Sequence, residues 1–221
     1  MIVVHHLNNS RSQRVLWLLE ELGLAYEVKR YERDKKTNLA PPALKAIHPL
    51  GKSPVLDDGE ARVAETGAII EYLLETYGQG RLKPAAGTAE ARRYTYWLHY
   101  AEGSAMTPLL LKLIFSSLPA RSPFLVRGII RKVCDRVQGL MVDPNITAHF
   151  GYWEAELSKS EWFAGDQFSA ADIMMSFPLE AGGSRVPYGD RMPRVSAFVK
   201  EIHARPAYQR ALERGGPYAY A

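Results

Sequence analysis

Apolar residues recur along this chain in two rhythms, and the change from one to the other divides it. Up to about residue 79, short β-branched or apolar runs alternate with helical stripes. Ile2–Leu7 and Tyr26–Tyr31 read as strands, because β-branched and aromatic residues suit a pleated, half-buried surface. Pro54–Leu56 and Ala61–Ala64 read as two further short strands around the turn Asp57-Asp58-Gly59-Glu60, where glycine accepts a positive φ without penalty. Between the first two strands, Val15, Leu18, Leu19 and Leu22 form a helical stripe that Leu16 and Trp17 widen and Gly23 ends. Ser10 with Gln13 three residues on fits a capping box for that helix. Prolines 41 and 42 open a short helix over Ala43–Ile47, which His48-Pro49 stops. Ile69, Ile70, Leu73, Leu74 and Tyr77 mark a helix from Thr66, with Thr66 as its N-cap and Gly78 as its stop.

The Gly-, Ala- and Pro-rich stretch 80–87 then reads as a linker, and everything after it is helical in pattern. Glu90 to Leu118 predicts one long helix or a kinked pair, with Pro108 as the bend and Trp97, Tyr100, Ala101 and Ser104 along one face. Helices are expected from Pro123 to about Met141, from Asn145 to Lys159, and over Pro193 to Glu213 with a break at Arg205-Pro206. Ser169-Ala170-Ala171-Asp172 matches a capping pattern, with Phe168 and Ile173 placed as a hydrophobic staple. This predicts a folding role for Asp172 rather than a chemical one. The organisation is therefore an α/β domain over 1–79, a linker over 80–87, and an all-helical domain over 88–221.

Charge changes the picture little. The 221 residues carry 28 Lys and Arg against 24 Asp and Glu, and the small excess lies in the helical half. Arg121, Arg127, Arg131, Lys132 and Arg136 make a basic run there. It reads as a solvated helix face, since no stacking aromatics are interleaved as single-stranded nucleic acid would require. No apolar run has membrane-spanning length. Neither nucleic acid nor membrane is an expected partner. A single cysteine excludes an internal disulfide framework and any Cys-x-x-Cys pair, and a reducing cytosol is the simplest setting. Cys134, among Val133 and Val137, reads as a buried, inert thiol. His5 and His6 point to opposite faces of a strand, and the six histidines show no ligand spacing, so no metal is expected.

Two groups of residues carry the chemistry. Lys52-Ser53-Pro54-Val55-Leu56 leads a proline into a strand, and Glu65-Thr66-Gly67 opens a helix whose N-terminus favours an anion. Together with the strand, polar turn and helix at the N-terminus, they resemble the glutathione-binding core of the glutathione S-transferases, closest to a theta-like, serine-type microbial branch. The resemblance implies a thioredoxin-like α/β domain followed by an all-α domain. It also implies a cis bond before Pro54, glutathione as cosubstrate, and dimerisation through the helical half.

The resemblance assigns roles residue by residue. Lys52 would pair with the glycyl carboxylate, the Ser53 backbone beside Pro54 with the cysteinyl unit, Glu65 with the γ-glutamyl ammonium, and Thr66 with its carboxylate. Asn8-Asn9-Ser10-Arg11-Ser12-Gln13-Arg14 stands where the family contacts the sulfur. Ser10, four residues before Arg14, is the first choice, with Ser12 and Asn9 as alternates. Such a hydroxyl donates to a thiolate and is not a nucleophile. A free thiol of pKa ~8.5 is only about 3% ionised at pH 7, and lowering that pKa by roughly two units takes about 2.7 kcal/mol. One hydroxyl hydrogen bond with a helix N-terminus supplies stabilisation of that order. Tyr96, Tyr100 and Met106 are candidates to line a pocket for a small hydrophobic electrophile, and the tail Tyr218–Ala221 to fold over it. The expected activity is conjugation of the glutathione thiolate to that electrophile. A glutathione-dependent peroxidase or disulfide reductase, and a non-catalytic glutathione-binding scaffold, are the alternatives.

Overall fold

The computed structural model describes residues 1–186 and 189–221. Four strands form one sheet in the order β2-β1-β3-β4. β1 (Ile2–Leu7) runs parallel to β2 (Tyr26–Tyr31), with Ile2 opposite Tyr26 and Leu7 opposite Tyr31. A parallel pair needs a crossover, and α1 (Ser12–Leu22) supplies it, ending at Gly23 in the left-handed conformation with φ 69°. β3 (Val55–Asp58) pairs antiparallel with β1, Val4 facing Leu56, and turns through Gly59 into β4 (Ala61–Ala64). α2 (Ala43–Ile47) and α3 (Thr66–Tyr77) complete this half.

Three local expectations differ. β3 begins at Val55 and reaches Asp58, because Pro54 has no N–H to give to a ladder. Ser10 and Gln13 form no capping box: Arg11 is the N-cap of α1, without a side-chain cap, and the Gln13 amide group is buried without a partner among the described residues. Thr66 is not a cap either. Glu65 occupies that position and Thr66 is the first helical residue, its hydroxyl accepting a bond from Arg14 instead.

All of α1 from Ser12 to Leu19 is buried. Its apolar residues surround the helix because one side packs on the sheet and α3 and the other on two helices of the second half, over Ala170–Arg185 and Pro206–Gly215. That half begins with α4 (Ala89–Tyr100), a π-helical turn over Ala101–Ala105, and α5 (Met106–Arg121). The distortion falls one turn before Pro108, whose missing N–H and bulky ring disturb the helix at residue 104. The extra residue in that turn rotates the buried face. Ala101 and Ala105 face the core, whereas Ser104, expected on the same face as Trp97 and Tyr100, is exposed. α6 (Arg127–Val137) leads through a second π-helical turn at Gln138–Val142 into α7 (Asp143–Leu157), where a helix to Met141 and another from Asn145 were expected. α8 (Ala170–Arg185) runs through Pro178, and α9 (Pro193–Ala204) and α10 (Pro206–Gly215) close the fold. The architecture is thus a small mixed sheet with helices followed by a helical domain.

The Ser169–Asp172 capping box is present as the sequence predicts. Asp172 is fully buried and accepts from the amides of Phe163 (2.8 Å) and Ser169 (2.8 Å) and from the Ser169 hydroxyl (3.1 Å). Asp172→Ala leaves those buried amides unpaired and is expected to lower stability in urea unfolding by about 3 kcal/mol. Ser169→Ala, which removes one cap, should lose about 1 kcal/mol. Equal small losses for the two variants would contradict this role.

Candidate functional site

The Ser53–Pro54 peptide is cis. The Ser53 hydroxyl donates to the His5 carbonyl (2.8 Å) and accepts from the Leu7 amide (3.1 Å). The side chain therefore continues the β1–β3 pairing past the end of the ladder. The Ser53 backbone groups take no partner among the described residues. They lie at a cleft of about 230 Å³ lined by Arg11, His48, Leu50, Lys52, Ser53, Pro54, Ala64, Glu65, Thr66 and Glu102. Four predicted binding positions and Pro54 thus meet in one place. Lys52 and Glu65 are both exposed there, and neither has an ion partner among the described residues. Glu65 holds φ 72° and ψ 127°, a backbone conformation that costs a non-glycine residue about 1–3 kcal/mol. Its neighbour Thr66 places the N-terminus of α3 on the cleft wall.

The floor is a buried ionic group that the sequence did not reveal. Arg14 is 1% exposed. Its guanidinium donates to the Met174 carbonyl (2.8 Å), to the Thr66 hydroxyl (3.3 Å) and to Glu102. Arg11 Nε lies 3.0 Å from the other Glu102 oxygen. Burial works to raise the Glu102 pKa, but Arg14 and Arg11 outweigh it, and the carboxyl is held below its ordinary value. Burial draws Arg11 below its ordinary value, with Glu102 opposing. Arg11 and Arg14 both stand over the Phe177 ring, at 5.8 and 5.5 Å. Arg11 has the weak sequence signal of following Ser10. Glu102 has none, because only the π-helical turn brings it to residues some 90 positions earlier.

The three polar candidates after β1 are not equivalent. Ser10 is buried beside Arg11, its hydroxyl 2.7 Å from Ser12 Oγ and accepting from the Ser12 amide at 3.3 Å. Ser12 is fully buried one step further in, 2.8 Å from His6 Nδ1. Asn9, at φ 49°, accepts the Ala219 amide at 2.8 Å, so the C-terminal tail is tied to this turn. The Tyr218 hydroxyl anchors the tail on Glu180 (2.7 Å), and Tyr220 meets Phe177 edge-on at 5.6 Å. Burial, with the nearby Arg30 charge, pulls the His6 pKa down to about 4, while the Gly215 backbone opposes. His6 is therefore neutral at pH 7.

Tyr96, Tyr100 and Met106 do not line this cleft. Tyr100 is buried in an aromatic cluster with Trp97, His149 and Trp153, whose indole donates to its hydroxyl at 3.0 Å. Tyr96 stacks on it at 5.5 Å from the more exposed side, and Met106 belongs to the core. Among the described residues no group of three or more His, Cys, Asp or Glu is placed to hold a metal ion.

Comparison with known proteins agrees with this geometry. The family model of the glutathione S-transferase N-terminal domain matches residues 1–75, and that of the C-terminal domain matches residues 136–206. Glutathione S-transferase 3 of Schizosaccharomyces pombe is 34% identical, covering 97% of this chain and 88% of its own. Glutathione S-transferase 1 of Saccharomyces cerevisiae is also 34% identical, over 97% and 95%. A crystal structure of a glutathione S-transferase from Actinobacillus pleuropneumoniae is 36% identical and superposes with a TM-score of 0.78, over 97% of this chain and 93% of that one. With the cis-proline cleft, the helix N-terminus at Thr66 and the helical second half in place, the chain belongs to the glutathione S-transferase family.

Proposed function

We propose that the chain conjugates the thiolate of glutathione to a small hydrophobic electrophile, with glutathione as cosubstrate and no metal. The observation that carries this reading is the pair of exposed charges, Lys52 and Glu65, neither in a salt bridge among the described residues, at the cleft that also holds the free Ser53 backbone and the start of α3. Glutathione carries two carboxylates, one ammonium and a thiol. Lys52 takes the glycyl carboxylate, Glu65 the ammonium, Thr66 with its helix N-terminus the γ-glutamyl carboxylate, and Ser53 the cysteinyl backbone. The family-model spans, 1–75 and 136–206, are consistent with a glutathione domain over 1–79 and a helical domain over 88–221, with 80–87 between them. A homodimer and a cytoplasmic setting belong to the same reading, supported by the family and by a lone, buried cysteine.

Ser10 is the residue assigned to the sulfur. In this reading the Ser10 hydroxyl turns its hydrogen towards the thiolate while its oxygen accepts the Ser12 amide, and Ser12 and the neutral His6 back it in a line of short hydrogen bonds. Catalysis then consists of lowering the thiol pKa and holding two reactants together. In this reading the electrophile binds beside Phe177, which Arg11 faces from the N-cap of α1, and Tyr220, which packs on Phe177 from the tail, rather than against Tyr96, Tyr100 and Met106.

Calorimetric titration with glutathione tests the binding assignment. Lys52→Ala removes one charge-assisted contact at an exposed rim and is expected to weaken binding about tenfold, and less at high salt. An unchanged affinity would remove Lys52 from the site, and no heat at millimolar glutathione would sink the enzymatic reading.

The His6 assignment makes a prediction about pH. Its folded pKa lies below its unfolded value, so its contribution to stability is present above about pH 6.5 and is lost as pH falls towards 4. Between pH 7 and 4.5 the wild type should lose about 2 kcal/mol relative to His6→Asn in urea unfolding. Burial pushes Asp172 up to about 7 against the amides that hold it down, which reverses the trend equally in both proteins and cancels in the comparison. Parallel pH profiles for the two proteins would contradict a buried neutral His6.

A further inference from the structure

The end of α5, all of α6 and the turn after it form a surface that the site does not use. Residues 121–141 hold five basic side chains and one acidic, Asp135, so this segment alone has a net charge of +4. That equals the formal net charge of the whole chain, and the remaining residues balance. Arg121, Arg131, Lys132 and Arg136 are exposed and have no carboxylate partner among the described residues. Elsewhere guanidiniums are commonly matched: Arg62 with Asp57, Arg93 with Glu156, Arg205 with Glu21, and Arg210 with Glu20.

The same surface is apolar. Phe124 is 82% exposed, Leu125 90% and Ile129 67%, and Val133, Leu140 and Met141 are exposed with them. The core-facing side of α6 is marked by Cys134. At 100° per residue, Lys132, Arg136 and Ile129 fall within about 40° of the direction opposite Cys134, with Val133 at the edge of that stripe. The sequence alone suggests a solvated basic face. The structure adds a row of large apolar side chains on the outward side of the same helix.

The charge distinguishes the possible occupants. A second copy meeting this face across a two-fold axis would set +4 against +4. Nucleic acid would match the cations, but would leave Leu125, Ile129 and Val133 without apolar contact. An anionic bilayer surface accepts both, with the apolar side chains at the acyl boundary and the cations among the phosphates. No helix of the described residues is long and apolar enough to cross a membrane, so attachment would be peripheral.

We propose that the segment 121–141 docks the protein on an anionic phospholipid membrane. The test is co-sedimentation of the full chain with vesicles of phosphatidylcholine alone or of phosphatidylcholine with phosphatidylserine. Binding is expected only with phosphatidylserine, and it should fall as salt rises. Lys132→Glu combined with Arg136→Glu, and separately Phe124→Glu combined with Leu125→Glu, should each reduce the bound fraction about tenfold. Both pairs lie outside the cleft on exposed positions, so activity on a water-soluble electrophile should not change. Equal sedimentation with both vesicle types would overturn the proposal, as would undiminished binding by both variants. Dissociation of a dimer by the Phe124/Leu125 variant without loss of vesicle binding would assign the face to a second copy. Binding to duplex DNA in place of vesicles would assign it to nucleic acid.

Discussion

The Arg14 guanidinium is the point on which this structure depends. A cation removed from water is costly unless paired and hydrogen-bonded, and the two terminal nitrogens of this one are held from three directions while its Nε is left without a partner among the described residues. Glu102 neutralises it from the π-helical turn, the Met174 carbonyl accepts from it in α8, and Thr66 accepts from it at the start of α3. Those partners come from both halves of the chain. The same group that orients Thr66 on the cleft therefore also fixes how the helical domain sits against the sheet.

The cleft follows from that junction. Glu102 draws Arg11 in beside Arg14, so the start of α1 is held against the helical domain. Ser10 sits just before Arg11, backed by Ser12 and His6 in a line of short hydrogen bonds running into the protein. On the opposite side, Ser53 plugs the end of β1 and presents its own backbone outward. Arg11, Thr66 and the Ser53 strand edge thus line the cleft, whereas Ser10 lies buried beside Arg11 and outside the lining. The tail is tied to the turn after β1 through Asn9 and to α8 through Glu180.

What the sequence made legible was local or carried by the family motif. β2, β4 and α2 appear at the residues expected, and Gly23, Gly59 and the Ser169–Asp172 box act as their types suggest, because each depends on neighbours within a few positions. Lys52, Ser53, Glu65 and Thr66 meet at one cleft because a hairpin and a helix start separate them. Where local rules failed, a competing partner had prevailed, distant for Thr66 and local for Ser10. Thr66 serves Arg14 rather than capping α3, and Ser10 bonds Ser12 rather than closing a box with Gln13. Glu102 was invisible because its role depends on a turn whose cause, Pro108, lies six residues further on. Tyr100 could not be told from a pocket residue, since aromatic spacing on a helix is the same for a packed cluster and a cavity wall.

The central claim is that this cleft ionises the bound thiol through Ser10. The ultraviolet absorbance of the glutathione thiolate, followed against pH in the complex, measures this directly. The account predicts a bound thiol pKa about two units below that of free glutathione, recovering by a unit or more in Ser10→Ala. A depressed pKa that the substitution leaves unmoved would take the role from Ser10, and no depression at all would contradict activation by this site.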